Sequence, residues 1–370
     1  MKTMLITRFG TAVAVGVCWL VAGHLRAADH ESNLHKTFTA SPGGKLVVEA
    51  DRGSIEVTAK SEETVDIQVF RKVTRATAAK AQEVFAAHEV TFQQEGNQVF
   101  VRAKYNKDWS GWRLWGPNLQ VRYEITVPKQ FNVDLKTAGG GITVSDLTGD
   151  ARAQTAGGSI KLGAIDGQVW AHTAGGNIHV ASATKAVEVE TAGGGIQIGQ
   201  AGGSVTAETA GGSITITKAR DQIRAKTAGG GIHIEDAGAA VKAETAGGNI
   251  TIKKAVGKVA AHTAAGGIEV GEAASAIDAS TSGGSITATI IGPLTEDCRL
   301  ETAAGNVTLI VPDNLSANLD ARTAGGHVTT ELPVTVQGEQ KQSSLQGKLG
   351  AGGNLLKLRT SGGSIYLKKR

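Results

Sequence analysis

From about residue 137 onward the chain alternates apolar and polar positions in short bursts. Between Thr155 and His172, Ile160 and Leu162 flank Lys161, and Val169 and Ala171 alternate with Trp170 and His172. A period of two over so few residues predicts short strands, each with one buried face. The same slots carry Ile214, Ile216, Ile223 and Ala225 in one later unit, and Ile250, Ile252, Val259 and Ala261 in another. A Thr-Ala-Gly-Gly-x-Ile segment recurs between the bursts. It starts at Thr137, Thr155, Thr173, Thr191, Thr209, Thr227, Thr245, Thr263 and Thr281, always 18 residues apart. Copies at Thr302 and Thr323 follow at 21-residue spacing, and a last one begins at Thr360.

Two strands and two bends per unit predict one coil of a β-solenoid, in which backbone hydrogen bonds run from coil to coil. The Gly pair marks one bend, because it lets backbones approach closely. The second bend falls near Gly149, Gly167, Asp221 or Ala239 and has no fixed chemistry. At roughly 4.8 Å per coil, nine coils extend roughly 43 Å. Alanines such as Ala153, Ala171, Ala207 and Ala225 imply walls that lie close together. Constant spacing with a recurring corner favours this reading over a sandwich or a chain of hairpins, and Gly-Gly with β-branched Ile argues against helix. The Thr column shares the parity of the inward slots, so its hydroxyls are expected to pack beside the corner and hydrogen-bond there.

Residues 28–136 differ. They hold most of the aromatics, including Phe38, Phe70, Phe85, Phe92, Phe100, Tyr105 and Tyr123. Alternation over Lys45 to Glu49, Ser54 to Val57, Val65 to Val69, Gln98 to Lys104 and Leu119 to Val127 predicts strands. Ala76 to His88 lacks Gly and Pro and predicts one short helix with Ala78, Ala81, Val84 and Phe85 on one face. Arg52-Gly53-Ser54-Ile55 reads as a degenerate corner. The fold class is therefore all-β: a single-chain solenoid of 18-residue coils over residues 137–330, with a β-rich N-terminal cap over 28–136 and a C-terminal coil and cap over 331–370. Caps are expected because an open solenoid end is a template for strand addition.

Lys2 and Arg8 precede an apolar run from Ala12 to Gly23, which ends near Leu25-Arg26-Ala27. This reads as a signal peptide over residues 1–27, too short to span a bilayer comfortably. Export to the periplasm or the cell surface follows, with no transmembrane segment in the mature chain. Losing Lys2, Arg8 and Arg26 lowers the net charge from +4 to +1. Without a basic stripe, that argues against nucleic acid as a partner. Cys298 is then the one cysteine left, read as a small buried hydrophobe.

The chemistry is sparse. The corners lack the Asp of calcium-binding β-rolls. His172 and His262 share a slot five coils apart, and His179 and His233 share one three coils apart, too far for a common metal. Glu190 and Glu208 are neighbours in a mixed-charge ladder with no sign of a cleft. The outward slots Lys161, His179, Gln197, Thr215 and His233 do not form a Thr array. No catalytic, cofactor-binding or metal residue is assigned, and no cofactor is expected. The one feature the architecture does not demand is Trp109, Trp112 and Trp115, three indoles in seven residues. They read either as packing in the cap or as a contact surface for a ligand such as a sugar ring.

The strand Tyr123-Glu124-Ile125-Thr126-Val127-Pro128, followed by Val133-Asp134-Leu135-Lys136-Thr137-Ala138-Gly139-Gly140, resembles the DUF4097 family of adhesin-like bacterial domains. The resemblance covers about residues 40–370. It implies a secreted or envelope-associated β-solenoid and supplies no catalytic residues to carry over. This chain departs from the family in the regularity of its array and in its Trp109–Trp115 cluster. Two functions stand as expectations. One is a non-enzymatic, adhesin-like or structural envelope protein whose partner is an envelope polysaccharide or another surface protein. The other is a carbohydrate-active enzyme or lectin-like module on the same scaffold.

Overall fold

The alternating bursts become two walls of parallel strands. In one wall the strands Ile160–Asp166, Ile178–Ala183, Ile196–Ala201, Ile214–Ala219, Ile232–Ala237 and Ile250–Ala255 each pair with the next. In the other wall Ala151–Thr155, Val169–Thr173, Val187–Thr191, Val205–Thr209, Ile223–Lys226 and Val241–Thr245 do the same. The computed structural model describes residues 28–106, 118–336 and 341–370. Among them the chain is mostly β, with one short helix, Ala78–Ala87. Its repetitive parallel pairing is solenoid-like.

Like residues face like: Ile160 lies opposite Ile178, Ala153 opposite Ala171, and Thr155 opposite Thr173. A one-residue slip would turn each buried set to solvent, which fixes the register. The inward residues of both walls form one continuous core, from Ala40 through Ile160, Val189, Ile216, Ala243 and Leu300 to Leu367. Where Ile268–Ala273 pairs with Ile286–Ile290, the register shifts by one residue after Val270↔Ala288, so that Ala273 faces Ile290.

The corner is held by the Thr column. Thr155 Oγ1 donates to the Gly140 carbonyl at 2.8 Å, and Thr173 and Thr191 donate to Gly158 and Gly176 at the same distance. Each Thr is buried, so its hydroxyl must find a partner, and the carbonyl of the preceding coil's second Gly supplies it. The variable residue after the Gly pair also has a role, as an acceptor for the next coil. Asn177 Oδ1 accepts the Gly195 N–H at 2.7 Å, Asn249 Oδ1 accepts the Gly267 N–H at 2.8 Å, and Ser213 Oγ accepts the Gly231 N–H at 3.2 Å.

Both ends are threaded out of sequence order. At the N-terminal end Gly44–Ala50 and Ser54–Lys60 are wedged between two later segments. On one side lie Gln98–Tyr105 and Asn118–Pro128; on the other lie Phe131–Thr137 and Ile142–Val144. Gly53 serves as the corner foreseen there: Thr137 Oγ1 donates to its carbonyl at 2.8 Å. Antiparallel strands close this end. Thr64–Ala76 covers Asn118–Pro128, Ala28–Thr39 covers Thr64–Ala76, and His88–Glu95 covers Gln98–Tyr105. The helix starts at Thr77, whose hydroxyl caps the Lys80 N–H, and buries Ala81, Val84 and Phe85.

At the other end the last two strands, Leu355–Thr360 and Ile365–Lys369, are not outermost. They lie between Cys298–Thr302 with Val307–Val311 on one side and Ala317–Thr323 with Val328–Thr330 on the other. The Thr column records the same order: Thr360 donates to Gly305, and Thr323 donates to Gly363. Ser344–Leu349 then pairs antiparallel with Ala317–Thr323 and with Val334–Val336.

Candidate functional site

The outer surface of the Val-x-Ala wall carries two long side-chain ladders. The register sets Arg102, Glu49, Lys136, Gln154, His172, Glu190, Glu208, Lys226 and Glu244 in one line. Phe100, Val47, Asp134, Arg152, Trp170 and Glu188 form a second line beside it. Ion pairs lie on this face: Arg102–Glu49 at 3.3 Å and the part-buried Lys45–Asp134 at 3.0 Å, while His172 Nδ1 stands 3.4 Å from Glu190 Oε2. Such pairs are worth about 0–1 kcal/mol each, so they decorate the wall more than they hold it together.

Where the cap meets the coils, this wall is concave. A groove of about 810 Å³ runs over six strands and the adjoining corner, with Glu49, Asp51, Glu89, Arg102, Lys104 and Lys136 among its charged lining. Gln154 and His172 line its far end. Beside them stands the half-buried Trp170, with the Arg152 guanidinium 4.0 Å over its ring. At the near end Arg102 lies 5.2 Å over Phe100. The groove as a whole is not local in sequence: it exists because Gly44–Ala50 lies beside Gln98–Tyr105 and Phe131–Thr137, strands more than fifty residues further along the chain.

Behind the groove the cap buries a polar hub. Asp51 lines the groove, and its Oδ2 accepts the Tyr105 N–H at 2.6 Å. Arg52 stacks 4.5 Å over the Tyr105 ring. His88 is only 1% exposed, and its Nε2 is 3.5 Å from the Tyr123 hydroxyl. Arg71 donates to the carbonyls of Phe85 and His88 and to Ser32 Oγ. Among the described residues four buried side-chain atoms have no hydrogen-bond partner, and all belong to this hub: Asp51 Oδ1, Arg52 Nε, Arg71 Nε and His88 Nδ1. Burial penalises charge, so the Tyr123 hydroxyl is pushed well above its usual range. Burial also takes His88 from 6.5 down to about 4, helped by Arg71 and Arg52 and opposed by Asp51.

The consequence for stability has a definite sign. The unfolded His88 takes a proton near 6.5, while the folded one resists until about 4. The folded state therefore keeps its full advantage above pH 6.5 and loses it as pH falls from there towards 4. The expected loss is on the order of 1–3 kcal/mol. Urea denaturation at pH 7.5 and pH 5 measures it, and His88→Gln should flatten the difference. An unchanged pH dependence in that variant assigns the effect elsewhere.

Trp109, Trp112 and Trp115 lie outside the described residues. The paired carboxylates Glu190 and Glu208 do face one another across adjacent strands, on the open wall rather than in the groove. Among the described residues no three His, Cys, Asp or Glu side chains gather in a way that could hold a metal ion. Cys298 is buried, and burial pushes its thiol up to about 11. No described helix is long and apolar enough to cross a membrane.

Two walls of stacked parallel strands, closed at both ends and carrying a concave charged face, define a capped, solenoid-like β protein. The sequence matches the Toastrack DUF4097 family over residues 44–288 and 255–368, and the chain belongs to that family. Among solved structures it is similar to a candidate adhesin from Bacteroides fragilis NCTC 9343, at 13% identity over 92% of this chain and 97% of that one, with a TM-score of 0.24. A candidate cell adhesion protein from Clostridium sporogenes ATCC 15579 shares 10% identity over 92% and 100%, with a TM-score of 0.19. A candidate lipid binding protein from Parabacteroides distasonis ATCC 8503 shares 10% over 91% and 96%, with a TM-score of 0.25. At these TM-scores the likenesses carry no argument about function. The comparison with curated proteins gives no match.

Proposed function

We propose that this chain is a non-enzymatic, adhesin-like binding protein of the bacterial envelope, exported by a signal peptide over residues 1–27 to the periplasm or cell surface. Its working part is an array of 18-residue coils over 137–330, held between caps over 28–136 and 331–370. The observation that supports this most is the outer face of the Val-x-Ala wall. Polar side chains recur there at one-strand intervals, from Arg102 to Glu244, on a rigid surface. A repeating surface makes many similar contacts with a repeating polymer, and linked weak contacts add up to avidity. An envelope polysaccharide is therefore the preferred partner over a single small ligand.

The test is binding of the purified protein to a panel of envelope polysaccharides and peptidoglycan, beside its Trp109→Ala/Trp112→Ala/Trp115→Ala variant. Saturable binding by the parent supports the reading. Its loss in a folded triple variant places a contact on the three indoles. Failure to bind any polymer in the panel overturns the reading. Release of soluble sugar during the assay favours the enzyme alternative.

A further inference from the structure

We propose that the groove at the junction of cap and coils is a binding site for an acidic polysaccharide, whose carboxylates are taken by Lys104, Lys136 and Arg152. This rests on the polysaccharide reading and adds to it a place and a ligand charge.

The argument is an accounting of partners. The groove is lined by acids and bases in similar number, but the two are not equally available. Each acid already accepts at least one hydrogen bond, although Asp51 Oδ1 keeps none. Glu49 accepts from Arg102 Nε at 3.3 Å, Asp51 accepts the Tyr105 N–H at 2.6 Å, and Glu89 accepts from Asn106 Nδ2 at 2.8 Å. Arg102 is engaged as well, by Glu49 and by Gln93 Oε1 at 3.3 Å. Lys104 and Lys136 are exposed, and among the described residues neither has a hydrogen bond or ion pair. A neutral net charge thus conceals a groove whose unused donors are cationic.

Arg152 completes the set from the flank. It is exposed, and stacking on Trp170 at 4.0 Å holds its guanidinium plane in place. A guanidinium fixed in this way loses less freedom when it grips a carboxylate with two parallel bonds. Lys104 and Lys136 stand two strands apart in the stack and two residues apart along it, roughly 12 Å at the usual spacings, and Arg152 lies one strand beyond Lys136 and two residues to its other side. The cations therefore follow a diagonal across the strands, which a polymer carrying spaced carboxylates could track. Gln154 and His172, beside that diagonal on the Lys136 ladder, offer hydrogen bonds to hydroxyl groups, which a bare polyanion would not use.

The experiment is calorimetric titration of the purified protein with polygalacturonate, with poly(glycerol phosphate) and with neutral dextran, at low and high salt. The variant is Lys104→Ala/Lys136→Ala/Arg152→Ala. The control is Lys161→Ala/Lys254→Ala, which removes charge from the opposite wall. All these side chains are exposed, so folding is not at stake. We expect binding of polygalacturonate that weakens with salt, falls about tenfold or more in the triple variant, and stays within about twofold in the control. Equal losses in variant and control overturn the site. Binding confined to the phosphate polymer overturns the carboxylate assignment. Dextran binding that the triple variant leaves intact overturns this proposal and spares the broader polysaccharide reading. No binding to any polymer, together with failure of the wider panel, overturns both.

Discussion

Gly176→Ala is expected to destabilise the stack by about 3 kcal/mol, whereas Gly175→Ala, one residue earlier, should cost under about 1 kcal/mol. The two glycines are adjacent, and neither has the positive φ that glycine alone tolerates well. Space separates them. A Cβ on Gly176 would stand 2.1 Å from the Gly158 carbonyl oxygen and 2.4 Å from its carbon. A Cβ on Gly175 would meet Gly157 O at an ordinary 3.6 Å. The carbonyl that blocks Gly176 also accepts the Thr173 hydroxyl at 2.8 Å, so it cannot yield without straining the bond that holds the corner. The chain already contains the control, because Ala265 and Ala304 stand at the first-Gly slot in later coils while Gly266 and Gly305 keep the second. Chemical denaturation of the two variants, with amide exchange read coil by coil, decides the matter. Equal stability of the pair would show that the corner has slack that these contacts do not reveal.

How far the sequence speaks depends on whether a contact repeats. Ile160 meets Ile178, and Thr155 meets Thr173, so the pattern within one unit already contains its partner in the next. That is why walls, corner and inward Thr column are legible from the alternation and the Gly pair. The helix is legible for a local reason too, an Ala-rich stretch without Gly or Pro beside a capping Thr77. The order of stacking is another matter. Thr302, Thr323 and Thr360 begin nearly identical corners, and any of the three would satisfy the pattern above Thr281. Only long-range pairing decides that Thr360 comes second and Thr323 third. The strand Ala28–Thr39 escapes notice because it is an edge strand with little burial and hence little apolar alternation. The groove and the His88 hub escape because Asp51, Arg71, His88, Lys104 and Tyr123 come from five separate segments. No spacing motif links residues that meet only through tertiary packing, and a single His after a helix resembles any other.

Removing residues 355–370 should do more than shorten the chain by one coil. If the stack followed sequence order, the deletion would expose the next coil and leave everything before it intact. Here the missing strands are an interior layer. Leu356, Leu358, Ile365 and Leu367 are each at most 1% exposed, and they face partners on both sides. Without them Ala317–Thr323 keeps only the antiparallel partner Ser344–Leu349, and Val328–Thr330 loses its one strand partner. Ser344–Leu349 still pairs with Val334–Val336, but three short strands that have lost the core layer beneath them are marginal in water, so the whole segment from Leu315 to Leu349 is expected to detach. Cys298, which lies opposite Leu356, then becomes part of an open end. In the intact protein its thiol is buried and held protonated up to about 11, so it resists alkylating reagents. Alkylation at Cys298 in the truncated chain should be faster by on the order of a hundredfold, the factor that about 3 kcal/mol of lost local protection provides. Mass spectrometry at that residue measures it, with a chain lacking only Arg370 as the control. Slow labelling in the truncated chain would mean that Ala317–Thr323 closes directly onto Cys298–Thr302, with the two nearly identical corners exchanging places. The interior strands would then be dispensable, and the threading at this end would serve something other than stability.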